Sequence, residues 1–62
     1  MPWTPEDCPA AMRNLPEAVR EKAVEIANAL LREGHEEGRA IRIGIAKAWE
    51  WAQHHGYLPP RP

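Results

Sequence analysis

The chain has 62 residues, 44% of them hydrophobic and 27% charged. That is one small domain with a marginal core, too short for a deep cleft between two domains, and it argues against a self-contained enzyme. Eight basic residues against nine acidic ones leave a formal net charge of −1, which excludes a polycation held to nucleic acid by bulk electrostatics.

Prolines stand at positions 2, 5, 9, 16, 59, 60 and 62, and none lies between Glu17 and Leu58. A proline in a helix interior removes a donor and clashes with the preceding turn. Long helices therefore belong in the proline-free middle. Before it, the sequence predicts an arm with one short helix. Pro9 suits a first-turn position, Asp7 is a candidate cap, and Ala10 to Arg13 continue the turn until Asn14 and Leu15 end it. Trp3 is expected to fold back onto the core, since a large ring would otherwise stay in water.

The next stretch, LPEAVREKAVEIANALLREG, predicts a helix over 16–33. Asn14 followed three residues later by Glu17 resembles a capping box. Val19, Ala23, Ile26 and Leu30 recur at helical spacing, with Val24, Ala27 and Leu31 widening the stripe on one side. Gly34 then stands where a left-handed glycine ends a helix. A second long helix is expected over about 36–54, with Ile41, Ile45, Ala48 and Ala52 on one face, Gly44 and Trp51 beside them, and Gly38 as a weak point near its start. The alternation of Ile41, Ile43 and Ile45 offers a strand instead, but a lone strand would have no partner in this chain. Gly56 ends the helix, and YLPPRP should be extended.

The expected fold is therefore all-α: a short N-terminal helix, a two-helix hairpin turning at Gly34 and His35, and an extended Pro-rich tail. Residues 1–56 form the helical domain and 57–62 the tail. The expected core is Val19, Ala23, Ile26, Leu30, Ile41, Ile45 and Ala48.

Several separate blocks carry a resemblance. The opening MPW, the run RNLPEAVREKAVEIANALLREG, then EEGRAI and KAWEWA occur in order over about residues 1 to 52. In these the chain resembles the small bacterial YdaT-like proteins. The pattern of LP, spaced alanines with an isoleucine, and a second alanine-rich helix is also faintly similar to the ChaB family of cation-transport regulators. Neither resemblance implies a catalytic or binding residue.

Cys8 is the single cysteine, which excludes an intrachain disulfide and fits a reducing cytoplasm. Alone, it reads as a small apolar side chain rather than a redox or metal thiol. No apolar run approaches the ~20 residues needed to span a bilayer. The opening MPWTPEDCP has prolines and acids where a signal peptide has basic charge and then an apolar stretch, and the initial Met1 leads to the expectation of a complete gene product. His35 lies at the opposite end of the hairpin from His54 and His55, and those two point about 100° apart on a helix, so no metal site is expected. No serine occurs, Thr4 is the only threonine, and no glycine-rich phosphate loop is present. Acyl transfer on serine is excluded, and neither a catalytic residue nor a cofactor is expected.

Two function classes remain. One is a protein-binding module. Val24 and Leu31 lie over about 100° from Val19, and Ile43 about 160° from Ile45, so they do not share the main stripe. The arm, with Trp3, Met12 and Leu15, has apolar surface to cover one of these areas. The apolar remainder, drawn from Trp3, Val24, Leu31, Ile43 and Trp49, is the expected interaction surface, most simply for a two-fold dimer. The other class is a helix-turn-helix DNA binder with Arg39, Arg42 and Lys47 on phosphates. A recognition turn at Gly44 would split the second helix, and the net charge is acidic, so it ranks second. The YLPPRP tail has the composition of a polyproline ligand.

Overall fold

The computed structural model describes residues 3–56 of the protein. The expected tail over 57–62, and its reading as a polyproline ligand, lie outside the described residues. Among these, three helices follow in order: α1 over Ala10–Arg13, α2 over Glu17–Arg32 and α3 over Glu37–His55. The described residues contain no strand, only an isolated bridge between Thr4 and Asp7. The alternating isoleucines of α3 are therefore helical.

The caps differ from those expected. Asp7 does not cap α1. Its backbone N–H donates to the Thr4 carbonyl at 3.1 Å and the Thr4 hydroxyl oxygen at 3.0 Å, closing a small turn in the arm. Nor does Asn14 cap α2, which begins behind Pro16 without any side-chain cap. A fixed φ near −65° and the absence of an N–H already suit proline to a helix start. Glu36 caps α3 instead, its carboxylate oxygen accepting from the Arg39 N–H at 3.3 Å. At the end of α2 the chain closes as expected from glycine. Gly34 has φ 97°, its N–H donates to the Leu31 carbonyl at 3.0 Å, and the His35 N–H donates to the Leu30 carbonyl at 3.0 Å. These are the two bonds of a Schellman motif, and they satisfy carbonyls that the helix itself leaves open. Only glycine takes this positive φ without strain.

The turn sends α3 back along α2. Their line of closest approach is set by small residues. A Cβ placed on Gly44 would lie 2.9 Å from the Ala23 carbonyl oxygen and 3.2 Å from the Ala27 Cβ. Gly44 is therefore level with the Ala23–Ala27 turn of α2, and residues near Glu33 and Glu36 meet at one end. Ala23, Ala27, Ala40, Ala48 and Ala52 are all fully buried. Close packing of small side chains brings the two backbones together and leaves the larger groups to fill the sides.

The arm supplies the third layer. Cys8 and Met12 are buried in the same core as Val19 and Val24, with Trp3, Leu15, Leu30, Leu31, Ile41, Ile45, Trp49 and Trp51 packed half-buried against it. Of the expected core, Val19, Ala23 and Ala48 are fully buried, while Leu30, Ile41 and Ile45 are half-buried and pack against the buried cluster. Ile26 is only half-buried and lies outside this cluster, while Val24 and Ala27, expected at the edge, are inside it. The centre of the buried arc of α2 is displaced toward Val24, because the arm packs on that side.

Candidate functional site

The residues on either side of the helix–helix line define two flanks. Ala27 and Gly44 face each other across it. In an antiparallel pair, equal rotation away from the line leads to the same flank on both helices. Asn28 and Ile45 each follow a line residue by one position, about 100° round. They share one flank. Ile26 and Ile43 each precede a line residue by one position and share the other.

The first flank carries the arm. Asn28 is 1% exposed, and its amide Nδ2 donates to the Trp3 carbonyl at 2.9 Å. Its Oδ1 is buried without a hydrogen-bond partner among the described residues. A buried amide that lacked the Trp3 bond as well would be costly, so this bond pins the arm in register. A second bond helps at the other end. Arg20 Nη1 donates to the Arg13 carbonyl at 3.4 Å, placing a cation at the carbonyl end of α1.

Among the described residues, the second flank has no such cover. Ile26 and Ile43 are half-buried, and neither is packed against the buried core. Gly44 is level with the middle of the Ala23–Ala27 turn, near residue 25, so in an antiparallel pair Ile26 comes level with Ile43. One turn toward the chain termini, Lys22 comes level with Lys47; one turn toward the Gly34 loop, Leu30 comes level with Arg39. Arg39 and Lys47 are exposed. Lys22 Nζ lies 2.8 Å from Glu25 and 5.1 Å from the centroid of the Trp51 ring, bridging α2 to α3 on this side. Trp51 in turn meets the His55 ring one helical turn on, 5.1 Å between centroids.

The fold separates the residues that the sequence grouped as one surface. Val24 is 4% exposed, a core residue with almost no surface to offer. Its assignment to the interaction surface is thus corrected: the arm needs an apolar floor, and Val24 is part of it. Trp3, Leu31 and Trp49 are packed against the core and keep part of their area outside. Ile43 stands on the other flank, beside Ile26, which the sequence reading had placed inside. Of the cations, Arg39 and Lys47 border Ile43, while Arg42 is exposed farther round, about 60° from Arg39. Asn28 was missed altogether. A signal existed: it is a poor helix former set among Val24, Ala27 and Leu31.

Among the described residues, no group of three His, Cys, Asp or Glu side chains converges to hold a metal ion. No helix among them is long and apolar enough to cross a membrane.

Comparison with known proteins gives one informative relationship. The chain is 56% identical over 54 residues to uncharacterized protein YdaT of Bacillus subtilis strain 168. The aligned part is 87% of this chain and 36% of that relative, so the chain spans about a third of the relative's length. The resemblance to YdaT-like proteins stands on this match; the fainter likeness to ChaB finds no support. No family model matches the chain. No solved structure matches it either.

Proposed function

We propose that the protein is a non-enzymatic binding module of the cytoplasm whose partner is another polypeptide, a second copy or a different chain. The observation that carries this reading is the pair Ile26 and Ile43: two large aliphatic side chains, level with each other, on the flank that the arm leaves uncovered. Apolar area of this kind on a small protein tends to mark a contact site. The lone Cys8, buried in the core, accords with a reducing compartment.

The charge pattern favours protein over DNA. A recognition helix meets bases with its N-terminal residues. Here α3 runs unbroken through Gly44, and its start carries Glu36 and Glu37. Carboxylates there would face phosphates. Arg39, Arg42 and Lys47 remain the contacts that a DNA-binding role would use.

Site-specific photocrosslinking tests the reading. A photoreactive residue is placed at Ile43 and, as a control, at the exposed Gln53. The expected result is a discrete protein adduct from position 43 and none from position 53. A nuclease-sensitive adduct would move the assignment to nucleic acid. Equal, diffuse labelling from both positions would remove this flank as a binding surface.

A further inference from the structure

We infer that the open flank takes an amphipathic helix whose apolar side is bordered by acidic residues, supplied by a different protein and not by a second copy of this chain. This rests on the reading of the flank as a protein-binding surface, and adds the chemistry of the partner. The described residues offer no sheet edge for strand addition, so a helix laid beside α2 and α3 is the available mode. Leu30, Ile26 and Ile43 give it about two turns of apolar floor.

The charges nearest that floor that lack an ion-pair partner among the described residues are positive, and the carboxylate beside them, Glu25, is taken up by Lys22. Lys22 and Lys47 lie one turn below the isoleucine pair and Arg39 one turn above. Arg39 and Lys47 make no ion pair among the described residues, whereas Lys22 is shared with Glu25. The other acids of this flank lie a turn farther out, and two are engaged: Glu33 is 3.8 Å from His35, and Glu36 caps α3. Glu50 lies beyond Lys47 at the other end. A two-fold copy seated on the isoleucines would bring Arg39 of one molecule toward Lys22 and Lys47 of the other. Like charges opposed at the edge of an apolar contact select against that partner. A helix with Glu or Asp bordering its apolar side places opposite charge at the same points.

The test uses the full chain and two labelled synthetic helices with identical leucine anchors, bordered by Glu in one and by Lys in the other. Fluorescence anisotropy reads binding. The Glu-bordered helix is expected to bind at least about tenfold more tightly at low salt, with the difference shrinking as salt rises. Ile43→Glu should lose about tenfold of that binding, and Ile43→Val should keep it. The double variant R39E/K47E should reverse the preference between the two helices. Circular dichroism checks that each variant is folded. Equal binding of both helices, or displacement of the Glu-bordered helix by a short DNA duplex, would overturn the inference. So would a parent chain that dimerises on sedimentation through a contact that Ile43→Glu breaks. If neither helix binds while position 43 still crosslinks to protein, the acidic-helix inference fails and the binding-module reading stands. Loss of the crosslink as well removes both.

Discussion

The two flanks of the hairpin are built from similar side chains and end up in different states. On one, Asn28 and Ile45 follow the contact line, the Trp3 carbonyl ties the arm to Asn28, and Ile45 packs against the buried core. On the other, Ile26 and Ile43 precede it, and they stay half-buried, outside the buried core. Hydrophobicity alone does not separate these positions: isoleucine occurs on both. What separates them is which side the N-terminal arm, with its short helix α1, reaches. A two-helix hairpin has two apolar flanks and the described residues hold one arm, so among them the cover is used on one flank and the other is left for something else.

This contrast predicts an ordering of mutational effects. The largest belongs to Met12→Ala, which removes the fully buried side chain by which the arm enters the core. It should cost about 2–5 kcal/mol, comparable with the whole stability of so small a domain. A thermal melt followed by circular dichroism is expected to lose its cooperative transition or shift down by tens of degrees. A melt near that of the parent would mean the arm is not part of the folded core.

Asn28→Ala comes next. It removes the bond to the Trp3 carbonyl and leaves that acceptor stranded, at about 1–3 kcal/mol. Because the bond joins the arm to α2, hydrogen exchange in residues 3–12 should accelerate more than in α3. Uniform acceleration would show that Asn28 matters only as core volume.

Gly44→Ala sets two effects against each other. Alanine favours a helix interior over glycine by about 1 kcal/mol. Its Cβ would sit 2.9 Å from the Ala23 carbonyl oxygen, and a backbone atom does not swing aside. Overpacking of that kind costs about 1–3 kcal/mol, so a net loss of about 1 kcal/mol is expected. For a domain of this length that is roughly 4–8 °C in Tm. A gain in Tm would mean the helices cross farther apart than described.

The smallest effect is the sharpest comparison. Ile26→Ala should cost only about 0.5–1 kcal/mol, since a half-buried side chain forfeits part of its transfer energy and alanine regains some helix propensity. Ile45→Ala, the same chemical change beside the arm, should cost more. Urea denaturation of the two variants gives the ordering directly. If Ile26 proves as costly as Ile45, the second flank is covered after all.

How much of this was legible beforehand depends on the range of the forces involved. Ile26 illustrates the limit. Its spacing with Val19, Ala23 and Leu30 is as regular as any stripe in the chain, and periodicity places it in the core. Spacing fixes which residues share a face of a helix. It does not fix where along that arc the neighbours pack. The arm pulled the buried centre about one residue round, toward Val24 and Asn28, and a shift of about 100° exchanges an inside position for an outside one. Arg39 and Lys47 were legible as exposed cations of α3. That they border an isoleucine from α2 as well as one from α3 required the hairpin's level, which the close approach at Gly44 sets.

The sequence by itself determined the elements: prolines confined to the ends, helix formers between them, glycines at 34 and 56. Those are local effects, decided by backbone sterics and hydrogen bonds within a turn or two, and so they are written in short stretches of chain. It also determined that apolar area would exceed what a hairpin can hide. Only the tertiary structure decided which area is left over. That choice depends on where the arm lies across residues some 25 positions away, as Trp3 does on Asn28, and on a carbonyl meeting one buried amide. Side-chain packing and a single long-range hydrogen bond select one flank from two that are nearly equivalent in composition, and no periodic pattern along the chain encodes that selection.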